Sequence, residues 1–434
     1  MSRSMDPSRI PSRRILAASA MAGLALGAAI STRVRRVQAP SDTAGILIDQ
    51  SPDPSVSVSD AEGPGLIDWS LARSIATRMN QQERLGAEER ERLDRYYRAL
   101  DAQCFPIVAE YTGISLELTS ERTYAFDRVD WIEANLTAFQ YLLQPVERIA
   151  ASAQKGGGSM AALSRRVASA EVGLLLGYLS RRVLGQYDLA LLGREPVDGG
   201  KLYYVEPNIR QIEQTLGMPR NDFRMWLALH ETTHAFEFEG NPWVAQYFNM
   251  LLGEYLETVQ GDAALLTSGV SGIKTLFNRT RDRDAGSSWL EAVMTPQQRD
   301  IFGRLQALMC IVEGYSNHVM NAVGRDLLPT YDTISRRFEQ RKARRSPADE
   351  LFGRITGLRL KMEQYRLGEE FIDAVVARRG HEMARRVWDG PEFLPTMDEI
   401  HDPARWITRV DARDIVSGRA PMETTGLADT PAAI

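Results

Sequence analysis

The feature that most constrains this chain is the run Asn221 to Phe238, NDFRMWLALHETTHAFEF, in which His230, Glu231 and His234 stand in the order H-E-x-x-H. The run predicts a helix. Side chains four apart lie one above the other on a helix, so His230 and His234 aim their imidazoles at one spot. A zinc ion suits that spot. Glu231, about 100° round the helix from His230, leans past such an ion toward water, where a general base belongs. Thr232, Thr233, Ala235 and Phe236 carry no charge, as a buried helix requires, because an unpaired charge there is costly. Asn221 or Asp222 is the expected N-cap. H-E-x-x-H also falls on surface helices that hold nothing, so a third ligand has to be found.

A catalytic zinc takes three protein ligands and keeps one position open. Cys104 and Cys310 are the only cysteines, which excludes a disulfide framework and a cysteine zinc site. The histidines besides the motif pair are His318, His381 and His401. Two carboxylates compete for the third place. Glu254 follows His234 by 20 residues, within GEYLETVQ, which reads as an exposed face. Glu313 sits in the predicted helix LQALMCIVEGYSNHVMNAVG, beside Ile311, Val312 and Gly314. A carboxylate in such apolar company wants a cation. Asn317, one turn on, can accept the free ring N–H of a ligand histidine and fix its tautomer, whereas Glu254 has Thr258 in that place. Glu313 is therefore the preferred ligand. Tyr315 and His318, close by, are candidate donors to a transition-state oxyanion.

The rest of the chain predicts a mainly α fold with a small β element. With 44% hydrophobic residues it can bury a large core, and a net charge of -5 with pI near 5.8 argues against nucleic acid as a partner. Residues 1–38 hold a charge-free run, Ile15 to Ile30, between Arg9, Arg13 and Arg14 on one side and Arg33, Arg35 and Arg36 on the other. It is an export signal or a membrane anchor. Because Val37-Gln38-Ala39 runs into Pro40 without a small-x-small site, an uncleaved tether through 15–30 is preferred, and the symmetric arginines leave its orientation open. Residues 39–66 read as a flexible linker, 67–416 as the hydrolase domain and 417–434 as a loose tail.

Within the domain, helices are expected from Ile67 to about Ala153 and again from Met160 to Leu192. Gly173 and Gly177 should admit a neighbouring backbone. The glycine run after Lys155 lacks the Walker spacing and is a connection. Lys201 to Val205 is the clearest strand and the expected edge for pairing with an extended substrate. The basic run Arg336 to Arg345 is a solvated helix face.

These blocks together resemble a family. Between about Ile67 and Val410, DWSLA at 68–72, VLGQYD at 183–188, VEPNI at 205–209, DFRMWLALHETTH at 222–234, PW at 242–243, LMCIVEGYSNHVMNAVG at 308–324, QYRLGEEF at 364–371 and the closing PEFLPTMDEIHDPARW resemble the zincin-like metallopeptidases, a family also associated with biosynthesis of a deazaflavin coenzyme. The resemblance implies a mostly helical zincin-like architecture, zinc held by His230, His234 and Glu313, and Glu231 as catalytic base. Asn317 stands where members commonly carry aspartate, so a ligand histidine loses some basicity.

The expected function is that of a zinc-dependent hydrolase, a metallopeptidase cleaving amide bonds of a peptide or protein with water activated by zinc and Glu231. The alternative is a non-catalytic zincin-fold binding or scaffold protein, linked through the resemblance to deazaflavin coenzyme metabolism. No G-x-G-x-x-G follows a strand and no P-loop is present to suggest a nucleotide cofactor.

Overall fold

The computed structural model describes Gly65 and residues 67–116, 120–153, 159–188, 200–266, 294–343 and 358–418. The apolar run 15–30, nearly all of the linker, the glycine run after Lys155 and the tail past 418 lie outside the described residues. Among the described residues no helix is long and apolar enough to cross a membrane.

The architecture is mainly α around one small sheet. Helix α1 (Trp69–Arg78) opens on Asp68, whose carboxylate accepts from the backbone N–H groups of Ser70 and Leu71, satisfying donors that a helix start leaves unpaired. Then come α2 (Ala87–Thr112), β1 (Thr123–Phe126), α3 (Arg128–Ala153), α4 (Ser159–Leu179), β2 (Gly185–Asp188) and β3 (Lys201–Val205). The second half is helical: α5 (Glu206–Leu216), α6 (Arg220–Glu239), α7 (Trp243–Leu266), α8 (Pro296–Leu327), α9 (Tyr331–Ala343), α10 (Leu358–Arg385), α11 (Met397–His401) and α12 (Pro403–Ser417). Gly173 and Gly177 do admit a backbone. A methyl group on Gly173 would lie 2.6 Å from the Ala72 carbonyl oxygen, so α1 and α4 pack main chain to main chain.

Four expectations about elements are corrected. The helix expected over Met160 to Leu192 stops at Leu179 and gives way to β2, and β1 interrupts the helical stretch before Ala153. Lys201 to Val205 is the central strand, not an edge: β1 pairs with it in parallel and β2 antiparallel, in the order β1-β3-β2. Its last four residues are buried, as a strand flanked on both sides requires. The motif helix begins at Arg220 after Pro219, and Asp222 accepts instead from the Thr330 backbone N–H (3.1 Å) and hydroxyl (2.6 Å).

Helix α6 lies at the centre, packed by α2, α8 and β2, and nearly every residue from Phe223 to Phe238 is buried. It therefore cannot rely on one apolar stripe. Arg224, fully buried, forks onto Glu206 of α5 (2.9 and 3.0 Å), reaches Glu213 (2.5 Å) and donates to the Tyr97 hydroxyl (3.1 Å). This bidentate geometry is what a buried charge needs. Helix α8 starts on a capping box, Thr295 with Gln298, and crosses α10 at Gly314 and Gly368. A methyl group on Gly314 would stand 2.2 Å from the Gly368 carbonyl carbon, so the two backbones touch.

Candidate metal centre

Helix α6 presents His230 and His234 on one face, and α8 brings Glu313 to meet them. One ligand atom from each lies within 4.8 Å of the others. His230 Nε2 and Glu313 Oε2 are 3.8 Å apart, and the imidazole rings stand edge to face with centroids 4.7 Å apart. Glu254, on α7, is not in this group. Glu313 can reach it because α8 is held against α10 at the adjacent Gly314.

Behind His234 stands a carboxylate that sequence reasoning missed. The ring Nδ1 of His234 lies 2.8 Å from Glu237 Oε2, and the Ser316 hydroxyl donates to Glu237 Oε1 at 2.9 Å while lying 3.0 Å from the same ring nitrogen. With Nδ1 engaged this way, Nε2 is left as the ligand atom. Asn317, expected in that orienting role, is not among the partners of either histidine. It lines the cavity instead, because a residue one turn from Glu313 shares that residue's face and not the back of His234. The signal for Glu237 was available: it follows His234 by three residues, the spacing that brings helical side chains into contact.

Burial would keep His234 neutral, but the Glu237 carboxylate and its hydrogen bond raise its pKa to favour the imidazolium. Glu231 is 5% exposed. Burial pushes its carboxyl up to about 8 against the pull of His234, with Glu313 and Asp101 adding repulsion. The backbone N–H of Tyr187 on β2 bonds to it, and Gly185 leaves it room: a methyl group there would fall 2.4 Å from Glu231 Oε1. The edge strand beside the motif helix is thus β2.

His230, Glu231 and Glu313 open onto a cavity of about 850 Å³. His318 lines it too, with Nδ1 2.5 Å from Asp373 Oδ1 and Nε2 2.9 Å from the Tyr111 hydroxyl, which also lies 3.2 Å from His381 Nε2. Tyr315 does not reach the cavity. Two residues on from Glu313 it points about 200° round the helix, into the core, where it packs edge to face on Trp388 at 5.3 Å. Two imidazoles and one carboxylate, converging with an open side and a further carboxylate adjacent, are a donor set that fits zinc.

With that geometry the sequence comparisons agree: the chain belongs to the zincin-like metallopeptidases, the model of that family matching residues 67–407. Membership implies a metal, usually zinc, and hydrolytic chemistry. Among solved structures the chain is similar to the crystal structure of a candidate hydrolase with a novel fold from Chloroflexus aurantiacus. The two share 41% identity over 80% of this chain and 99% of that one, with a TM-score of 0.60. No curated protein matches.

Proposed function

We propose that this protein is a zinc-dependent peptidase whose metal is held by His230, His234 and Glu313. The observation that carries the reading is the convergence of those three side chains beside a buried carboxylate, Glu231, at the floor of an open cavity. When bound, zinc supplies Lewis acidity at neutral pH, acidifying water and polarising a carbonyl.

The chain's own groups do the rest. Burial holds the Glu231 carboxyl up when no metal is present, and a cation held beside it would favour its ionised form, the form that takes a proton from water and returns it to a leaving amine. Its position is fixed by the Tyr187 amide and by the space at Gly185. Glu237 holds His234 in the tautomer that offers Nε2. Asp373 holds His318 at the cavity wall and the Tyr111 hydroxyl takes up its other ring nitrogen, so the ring donates to an oxygen that gains charge in the transition state only once that hydroxyl turns to His381, which it also reaches. The outer edge of β2, unpaired with any strand among the described residues, offers extended substrate a strand to pair with.

A scaffold role without catalysis gives no reason for Glu231, whose burial opposes its ionisation. A part in deazaflavin coenzyme metabolism rests on the family resemblance alone. The deciding experiment measures zinc content and peptide hydrolysis, by mass spectrometry of a digested peptide mixture, in the wild type, Glu231→Gln and Glu313→Ala. Glu231→Gln should keep zinc and lose roughly 10²–10⁴-fold in rate, and Glu313→Ala should lose zinc. Equal zinc in all three, or undiminished hydrolysis in Glu231→Gln, defeats the reading.

A further inference from the structure

A second cavity, of about 510 Å³, lies on the other side of Leu184, which lines both. Its character is different. Arg128, Arg181 and Arg182 line it, together with the amides of Asn80, Asn208 and Gln211, and among the described residues no carboxylate is part of its wall. Arg128 Nε donates to Asn208 Oδ1 at 2.7 Å and Nη2 to Gln211 Oε1 at 3.0 Å. Arg181 donates to Asn80 Oδ1 at 2.8 Å and to the Met79 carbonyl. These acceptors are neutral. They orient the guanidiniums without cancelling their charge, and among the described residues Arg181 has no carboxylate within ion-pair distance.

The two guanidiniums repel. Burial first, and the charge of Arg181 after it, hold the pKa of Arg128 below the usual guanidinium value, opposed by Glu83. Among the described residues the acid paired with Arg128 is Glu83, which reaches Nη1 at 2.9 Å from the loop after α1. It does so from a left-handed backbone at φ 65°, where among the described residues no other non-glycine residue is found, and its side chain is 61% exposed. A residue held in a sparsely populated backbone conformation to lay a solvated carboxylate on a half-buried arginine marks where an external carboxylate would bind.

The position of the cavity gives the source. Leu184 precedes Gly185, the first residue of the edge strand β2 and the residue against which Glu231 sits. A peptide paired along β2 with its scissile bond at Glu231 passes over Leu184 as it leaves the metal centre, into the arginine cavity. We propose that this cavity is a subsite for a carboxylate of the substrate, an acidic side chain or a chain-terminal carboxylate near the scissile bond, with Glu83 as a tethered competitor for it. The ligand's identity rests on the peptidase reading, whereas the charge preference of the cavity does not.

The test is a binding measurement that needs no turnover. Full-length protein carrying Glu231→Gln is titrated with two labelled hexapeptide mixtures, identical except that one has glutamate where the other has glutamine, each with free and with amidated C-termini. Inorganic phosphate is titrated separately. The glutamate or free-carboxylate peptides should bind about tenfold more tightly than their neutral counterparts. Adding Arg181→Gln should remove the preference while leaving affinity for the neutral peptides. Adding Glu83→Gln should enlarge it, a gain that misfolding cannot imitate. The proposal is overturned by no preference for acid, by a preference that survives Arg181→Gln, or by one that does not grow in Glu83→Gln. It is equally overturned by phosphate binding that depends on Arg181 without any acid preference, which would assign the cavity to a free small anion. Hydrolysis of peptides by the wild type is scored independently, so a peptidase indifferent to acidic residues and an acid-binding protein without peptidase activity are told apart.

Discussion

Glu237 shows what one side chain contributes behind a ligand. It is 1% exposed, takes the Ser316 hydroxyl on one oxygen and faces His234 Nδ1 with the other, so both of its oxygens are committed to fixing one imidazole. Burial raises its carboxyl, which would weaken it as an orienter, and the neighbouring His234 charge and hydrogen bonds oppose that rise. Removing such an outer partner typically lowers metal affinity 10–100-fold. Glu237→Gln keeps an acceptor oxygen and should weaken zinc binding toward the lower end of that range, and Glu237→Ala toward the upper end. Competition with a chromogenic chelator measures both, and affinity in Glu237→Ala equal to wild type would show that His234 needs no orienter. Asn317→Ala, by contrast, should leave zinc affinity unchanged, since Asn317 bonds to neither histidine. Gly185→Ala probes the other side of the site. Its methyl group needs the place that Glu231 Oε1 holds, so hydrolysis should fall while zinc content stays at the wild-type level.

At the level of elements, the site depends on two contacts, one seating α8 against α10 and the other seating α6 against α5. The first is the crossing of α8 and α10, where Gly314 and Gly368 leave no room for a side chain on either helix. Gly314→Ala adds a methyl group where main-chain atoms already lie within 2.2 Å, so the helices must part and Glu313 moves with α8. Zinc affinity should drop with helix content retained by circular dichroism. Unchanged affinity would mean that the crossing can shift without carrying Glu313. The second is Arg224, whose truncation to alanine leaves Glu206, buried at 0% exposure, with only Arg210 and the Tyr97 hydroxyl as partners, at a cost toward the lower end of the about 3–5 kcal/mol usual for broken buried pairs, read from urea unfolding. What was legible in the sequence follows from the distinction between local and distant. The pair His230 and His234 is a matter of i,i+4 spacing, and Glu313 could be singled out because its neighbours are apolar. Strands β1 and β2 are four residues each and owe their form to β3, 79 residues from Thr123 in the pairing with Leu202. No local period announces such a strand, and helical patterns on either side run over it. Nor does sequence show that Tyr315 turns to Trp388 while His318 turns to Asp373.

Across the whole molecule, the centre buries more carboxyls than it can keep ionised without a cation. Glu231 is raised to about 8 and Asp101 to about 7, both first by burial. Asp101 keeps its place by accepting from the Thr123 and Tyr204 hydroxyls, each at 2.6 Å. Unfolded, these groups titrate at their ordinary 4.5 and 3.8. A carboxyl that binds its proton more tightly in the folded state favours folding below its unfolded pKa, and that contribution is lost as pH rises through the folded value. His234, raised above 6.5 by Glu237, behaves alike: its contribution is whole below 6.5 and is lost as pH climbs past its folded pKa. All three slopes have the same sign. The metal-free protein, stripped with a chelator, should therefore lose thermal stability steadily from about pH 5 to about pH 9. Zinc reverses the balance at the centre, since it binds the deprotonated forms and its binding releases protons. The zinc-loaded protein should lose less over the same interval, and the gap between the two Tm curves should widen with pH. Asp101→Asn removes one of the titrating groups and leaves the ligands in place, so it should flatten part of the fall in both forms equally. A gap of constant width, or one that narrows with rising pH, would mean that the buried acids are neutralised by something other than the cation at His230, His234 and Glu313.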